Sequence, residues 1–195
     1  MNKGRLIFCS GGCRSGKSAQ ALRLAEGLAG RADNAPAAGL VFVATLDVRD
    51  AEMRARVERH RLERGAGWQT LEIPVDKAPD LAAHLDRALR LGRVLVLDCL
   101  STWVGACLES LPQRPPGGCR ELEEAILARL AEALDLLAQA GARCVLVSAE
   151  TGLGLVPESK DGRAFRDVLG RVNQLAAARA DEAWFMVSGL PLRLK

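Results

Sequence analysis

Residues 11–18 read GGCRSGKS and fit the pattern G-x-x-x-x-G-K-[ST]. The apolar stretch Leu6–Cys9 precedes them, and alanines and leucines at three- and four-residue spacing follow over Lys17–Leu28. Strand, glycine loop, helix is the local path of a phosphate-binding loop, or P-loop. Each residue type has a physical job there. Gly11, Gly12 and Gly16 let the backbone turn tightly and approach phosphate oxygens. The N–H groups of Cys13, Arg14 and Ser15 and the helix N-terminus offer positive partial charge to an anion. Lys17 adds a full positive charge near the β- and γ-phosphates, and Ser18 offers a hydroxyl ligand to Mg²⁺. The motif argues for nucleotide binding and leaves the phosphoryl acceptor open.

The rest of the chain suits a parallel α/β sheet. Arg5–Cys9, Leu40–Thr45, Val94–Asp98, Cys144–Ser148 and Ala183–Ser188 are short apolar runs without strict alternation, as expected of strands covered on both faces. Helical patterns separate them: Lys17–Leu28, Asp50–Arg64, Leu81–Leu91, Glu121–Ala140 and Arg163–Arg179. Gly30–Gly39 and Pro112–Gly118 read as loops, and SGLPLRLK as a closing hairpin at a sheet edge. The expectation is one α/β domain over 1–195, a mostly parallel sheet with helices on both faces.

Composition narrows the partners. With 27 basic and 24 acidic residues the net charge is +3, too small to argue for nucleic acid or a membrane surface. Four Phe, three Trp and no Tyr give little base-stacking surface, which weighs against a nucleic-acid-binding module. No apolar stretch reaches the length of a membrane span, and the apolar run after the basic start is too short for a signal peptide, so the expected location is cytoplasmic. The six cysteines form no CxxC pair and read as reduced thiols.

Two further features bear on chemistry. Asp98 closes the run VLVLD, where a P-loop enzyme keeps a carboxylate for Mg²⁺. The competing role is a cap for a following helix, with Ser101 and Thr102 as rival caps. His60 lies in DVRDAEMRARVERHRLER among Arg56, Arg59, Arg61 and Arg64. Those cations would favour a neutral, nucleophilic imidazole and attract a triphosphate. An ordinary surface histidine on a solvated helix fits the spacing equally. His84 reads as structural. No N-K-x-D occurs, which argues against a regulatory GTPase.

Taken in order, GGCRSGKS (11–18), VATLD (43–47), EMRARVERHRLER (52–64), WQTLEIP (68–74), VLVLDCLSTWV (94–104), VSAETGLGLVPES (147–159), FRDVLGRVNQ (165–174) and ADEAWFMVSGLPLRLK (180–195) cover nearly the whole chain. This set resembles the bifunctional adenosylcobinamide kinase/adenosylcobinamide-phosphate guanylyltransferase family of cobalamin biosynthesis. The resemblance implies a RecA-like P-loop sheet, usually assembled as a homotrimer. It implies phosphorylation of adenosylcobinamide by ATP or GTP, then transfer of GMP from GTP to the new phosphate through a guanylyl-histidine. By the same resemblance His60 is the histidine nucleophile and Lys17 the catalytic lysine. Arg61, Leu62, Glu63 and Arg64 match the nucleotide-contacting stretch. Ala44, Thr45 and Leu46 match backbone contacts to nucleotide, and Glu72 and Asp98 the acidic binding positions. Ser18 and Asp98 are the expected Mg²⁺ ligands. A carboxylate at Glu72 could accept from guanine N1–H and the exocyclic amine. A small-molecule P-loop kinase without histidine chemistry is the alternative.

Overall fold

The computed structural model describes residues 4–30, 39–46, 64, 67–74, 76, 79–110 and 119–195. Their strands are β1 (Arg5–Gly11), β2 (Leu40–Leu46), β3 (Trp68–Pro74), β4 (Val94–Asp98), β5 (Arg143–Ala149), β6 (Glu182–Val187) and β7 (Leu190–Arg193). Their helices are α1 (Lys17–Gly30), α2 (Leu81–Leu91), α3 (Leu100–Ser110), α4 (Cys119–Gln139) and α5 (Lys160–Arg179). Among the described residues the strands form one sheet in the order β3-β2-β4-β5-β1-β6-β7. All neighbours are parallel except β6 and β7.

Alternation along the inner strands divides the core into two layers. Ile7, Cys9, Val94, Val96, Val145 and Val147 face α1, which buries Ala21, Ala25 and Leu28 at four- and three-residue spacing. Phe8, Leu95, Leu97, Cys144 and Leu146 face the opposite way, into a larger layer with Trp103, Leu130 and Leu169 from α3, α4 and α5. Both faces of the central strands are therefore apolar, which explains their unbroken hydrophobic runs. Side-chain caps fix two helix starts: Asp80 accepts from Ala83 N ahead of α2, and Ser159 accepts from Gly162 N ahead of α5.

The five expected strands form, Val94–Asp98 with the expected ends and the others with one or both ends moved by one or two residues. So do the helices expected near Lys17–Leu28, Leu81–Leu91, Glu121–Ala140 and Arg163–Arg179. Two elements are additional: strand β3 and helix α3. The closing hairpin forms as well. Val187 pairs with Leu190, and the two residues between them, Ser188 and Gly189, have φ of 51° and 81°. Positive φ at both central positions is the type I′ turn that matches the twist of a hairpin. The helix expected over Asp50–Arg64 lies outside the described residues except for Arg64. The interiors of the two expected loops, 31–38 and 111–118, lie outside them too. No helix among the described residues is long and apolar enough to cross a membrane.

Candidate active site

The phosphate loop occupies the carboxyl end of β1. Its first intrahelical bond runs from Gln20 N to Gly16 O, so the N–H groups of the residues opening α1 have no partner within the helix. Lys17 folds back over the loop, its Nζ donating to Gly12 O at 3.1 Å. Gly16 has φ of 90°, and a Cβ there would lie 3.3 Å from the Cα of Gly189. Arg14 also takes a positive φ, 55°. Cys13 and Arg14 are exposed, whereas Ser15 is buried and its Oγ has no hydrogen-bond partner among the described residues.

Neighbouring strands brace the loop. Glu150 N donates to Gly11 O, and Gly189 N, in the β6–β7 turn, donates to Ser15 O, both at 3.0 Å. Behind them the buried Ser148 Oγ donates to Asn173 Oδ1 at 2.6 Å, and Asn173 Nδ2 donates to Ala149 O at 3.0 Å, tying α5 to the carboxyl end of β5. The hairpin's part in the loop was not evident in the sequence. SGLPLRLK marked a turn, and nothing in it indicated that the turn would reach residues 15 and 16.

Asp98 ends β4, and its cis peptide leads to Cys99. Cys99 O accepts from Trp103 N at 3.2 Å, so Cys99, rather than Asp98, holds the N-cap position of α3. Cys99 Sγ lies 2.8 Å from Ser101 Oγ and 3.2 Å from Thr102 Oγ1, which occupies the two rival capping hydroxyls. Asp98 is left at the strand end. The Cys9 thiol senses its charge: burial, then the Asp98 carboxylate, push that thiol up to about 12, and Lys17 acts in the opposite direction. Lysine and carboxylate therefore both lie within electrostatic reach of the Cys9 thiol.

The registers line up a row across the sheet. Cys9 pairs with Val147, Val147 with Asp98, Asp98 with Ala44 and Ala44 with Glu72. The row lies on the face that carries α1, and its ends are four strand spacings, roughly 19 Å, apart. Glu72 is exposed on β3 at the far end and does not meet the phosphate loop. Arg64 lies nearer Glu72. Its guanidinium sits 3.9 Å over the Phe42 ring, and Nη2 donates to Thr70 Oγ1 at 3.2 Å. Thr45 is buried and Leu46 ends β2. His60, Arg61, Leu62 and Glu63 lie outside the described residues. A cavity of ≈ 680 Å³ between α2 and α4, lined in part by Asp80, His84, Arg87 and Arg129, includes none of the phosphate-loop residues.

The donor set suits Mg²⁺. That ion keeps several waters and needs only one or two protein oxygens beside substrate phosphates. The Ser18 hydroxyl and the Asp98 carboxylate supply that number of hard donors. Among the described residues no cluster of three or more His, Cys, Asp or Glu could form a cage for a metal without phosphate.

The fold is shared with a KaiC-like protein of Pyrococcus horikoshii. The TM-score is 0.51 at 16% identity, over 94% of this chain and 71% of that one. Three relatives are closer in sequence. The bifunctional adenosylcobalamin biosynthesis protein CobU of Salmonella typhimurium is 37% identical, covering 97% of this chain and 99% of its own. CobU of Escherichia coli is 35% identical with the same coverage. The bifunctional adenosylcobalamin biosynthesis protein CobP of Pseudomonas aeruginosa is 39% identical, over 95% of this chain and 94% of its own. The family model described as cobinamide kinase / cobinamide phosphate guanyltransferase matches residues 7–194. With the phosphate loop, the strand-end carboxylate and the RecA-like sheet in place, the chain belongs to the cobinamide kinase / cobinamide phosphate guanyltransferase family.

Proposed function

We propose that this chain catalyses two successive reactions of cobalamin biosynthesis, with residues 1–195 working as one unit. It phosphorylates adenosylcobinamide with ATP or GTP, then converts the phosphate to adenosyl-GDP-cobinamide with GTP. The observation that carries the reading is the phosphate loop between β1 and α1, with Asp98 at the carboxyl end of β4 two strands away. In the kinase step the loop N–H groups and Lys17 hold the β- and γ-phosphates while the substrate hydroxyl attacks the γ-phosphorus and a nucleoside diphosphate leaves. Ser18 and Asp98 would hold Mg²⁺, which when bound neutralises charge building on the phosphoryl oxygens.

In the second step the neutral His60 imidazole attacks the α-phosphorus of GTP. A P–N bond forms and pyrophosphate leaves. An oxygen of cobinamide phosphate then attacks the same phosphorus, takes the GMP and restores the histidine. Arg61 and Arg64 offset the charge of the phosphates. The nucleotide also runs along Ala44, Thr45, Leu46, Leu62 and Glu63, and Glu72 reads the guanine edge. The row from Cys9 to Glu72 supports an extended nucleotide path along the carboxyl edge of the sheet. The working form is a cytoplasmic homotrimer.

Incubation with α-labelled GTP tests the histidine step. Wild type takes up label that is acid-labile and alkali-stable, and His60→Ala takes up none. An unlabelled wild type with intact kinase activity would leave a small-molecule kinase. Glu72→Ala lowers the preference for GTP over ATP in guanylylation; an unchanged preference removes Glu72 from base reading.

A further inference from the structure

Thr45 was expected to meet nucleotide through its backbone. Its side chain does something else. Thr45 is 5% exposed, and its hydroxyl donates to Cys99 O and accepts from Cys99 N, both at 2.8 Å. One hydroxyl has one proton to give and lone pairs to receive, so both bonds form at once. The position of this clasp is informative. The β2–β4 backbone register ends at Ala44 and Asp98, while β2 continues beside β3 to Leu46 and Pro74. One residue past Asp98, where the backbone ladder stops, a side chain takes its place. Asp98 is thus flanked by strand pairing to β2 and β5 on one side and by the Thr45 clasp on the other.

We propose that Thr45 is a positioning residue for the Asp98 carboxylate, acting through its two hydrogen bonds to the main chain of Cys99. This rests on the reading that Asp98 takes Mg²⁺. Groups that orient a ligating carboxylate change metal affinity by about ten- to a hundredfold when removed. The hydroxyl carries the role, so valine, which matches threonine in shape, loses it and serine keeps it.

The test is Mn²⁺ binding followed by electron paramagnetic resonance, with a non-hydrolysable ATP analogue present, on the full chain. Thr45→Val weakens Mn²⁺ by about tenfold or more, and Thr45→Ser stays within about twofold of wild type. All Mn²⁺ affinities are measured at saturating analogue, so a change in nucleotide affinity does not enter the comparison. Thr45→Ala replaces the valine variant if circular dichroism shows that the latter does not fold. Valine or alanine variants with wild-type Mn²⁺ affinity, or a serine variant as weak as valine, overturn the proposal. Asp98→Asn separates the two levels of the argument. If it weakens Mn²⁺ while Thr45→Val does not, only the role of Thr45 fails. If Asp98→Asn binds Mn²⁺ like wild type, the magnesium reading fails with it.

Discussion

An alanine at position 11 would place its Cβ 2.6 Å from the Ser15 hydroxyl and 2.7 Å from the Met186 carbonyl oxygen. At position 12 a Cβ would meet nothing within 4 Å. The two glycines therefore do different work, although the motif writes them alike. Gly11→Ala should cost about 1–3 kcal/mol of stability through overpacking and lower kinase kcat/KM. Gly12→Ala should stay within about 0.5 kcal/mol of wild type in stability and lose affinity only for nucleotide. Thermal unfolding with and without ATP separates them. The buried thiols make a second residue-scale prediction. Desolvation pushes Cys9, Cys107 and Cys144 up to about 12 from an ordinary 9.0. Below pH 9 the thiols are protonated whether the chain is folded or not, and their contribution is fully present. Between pH 9 and 12 the unfolded chain releases protons that the native chain keeps. Stability should then fall toward about 1.4 kcal/mol per pH unit for each thiol. Urea unfolding at pH 8, 10 and 11 measures the slope, and alanine at all three positions should flatten it.

The β6–β7 hairpin connects a turn to the chemistry. Gly189 has φ of 81° and donates its N–H to Ser15 O. Gly189→Ala should cost about 1–2 kcal/mol, the penalty of a left-handed alanine, and should also raise KM for nucleotide because the turn braces the phosphate loop. A stability loss with unchanged KM would confine the turn to a structural role. The comparison of elements also explains what the sequence could convey. The strands β1, β2, β4, β5 and β6 were legible because burial on both faces leaves unbroken apolar runs. The phosphate loop was legible because its residue types are fixed by backbone geometry. Strand β3, WQTLEIP, was hidden: it is an edge strand, with Gln69, Glu72 and Pro74 exposed. Helix α3 was hidden for the opposite reason. Its buried Leu100, Trp103, Val104, Ala106 and Cys107 extend the apolarity of β4, and Asp98, Ser101 and Thr102 compete as caps without fixing where a helix would start. The Thr45–Cys99 clasp and the Gly189–Ser15 bond join residues far apart in sequence, and no local pattern encodes such pairs.

At the scale of the molecule, one face of the hairpin remains uncovered. Leu190, Leu192 and Leu194 alternate along the chain and are 71%, 56% and 63% exposed, with Val187 beside them. Edge strands of this kind attract partners unless covered. We propose this strip as part of the contact between subunits of the proposed trimer. Leu190→Glu with Leu192→Glu should reduce the mass seen by light scattering to that of one chain. An unchanged oligomer would place the contact elsewhere. The sheet order carries a last consequence, for synthesis on the ribosome. Of the described strands the one that carries the phosphate loop is made before the others, yet its two neighbours, β5 and β6, end at Ala149 and Val187. At about 5–20 residues per second β1 waits roughly seven to twenty-eight seconds with both edges open, and roughly nine to thirty-five seconds for its second neighbour. During that interval the segment most needed for activity is also the one most available to chaperones and to wrong partners. A stop codon shortly before β6 would remove one of the two strands that seat the phosphate loop.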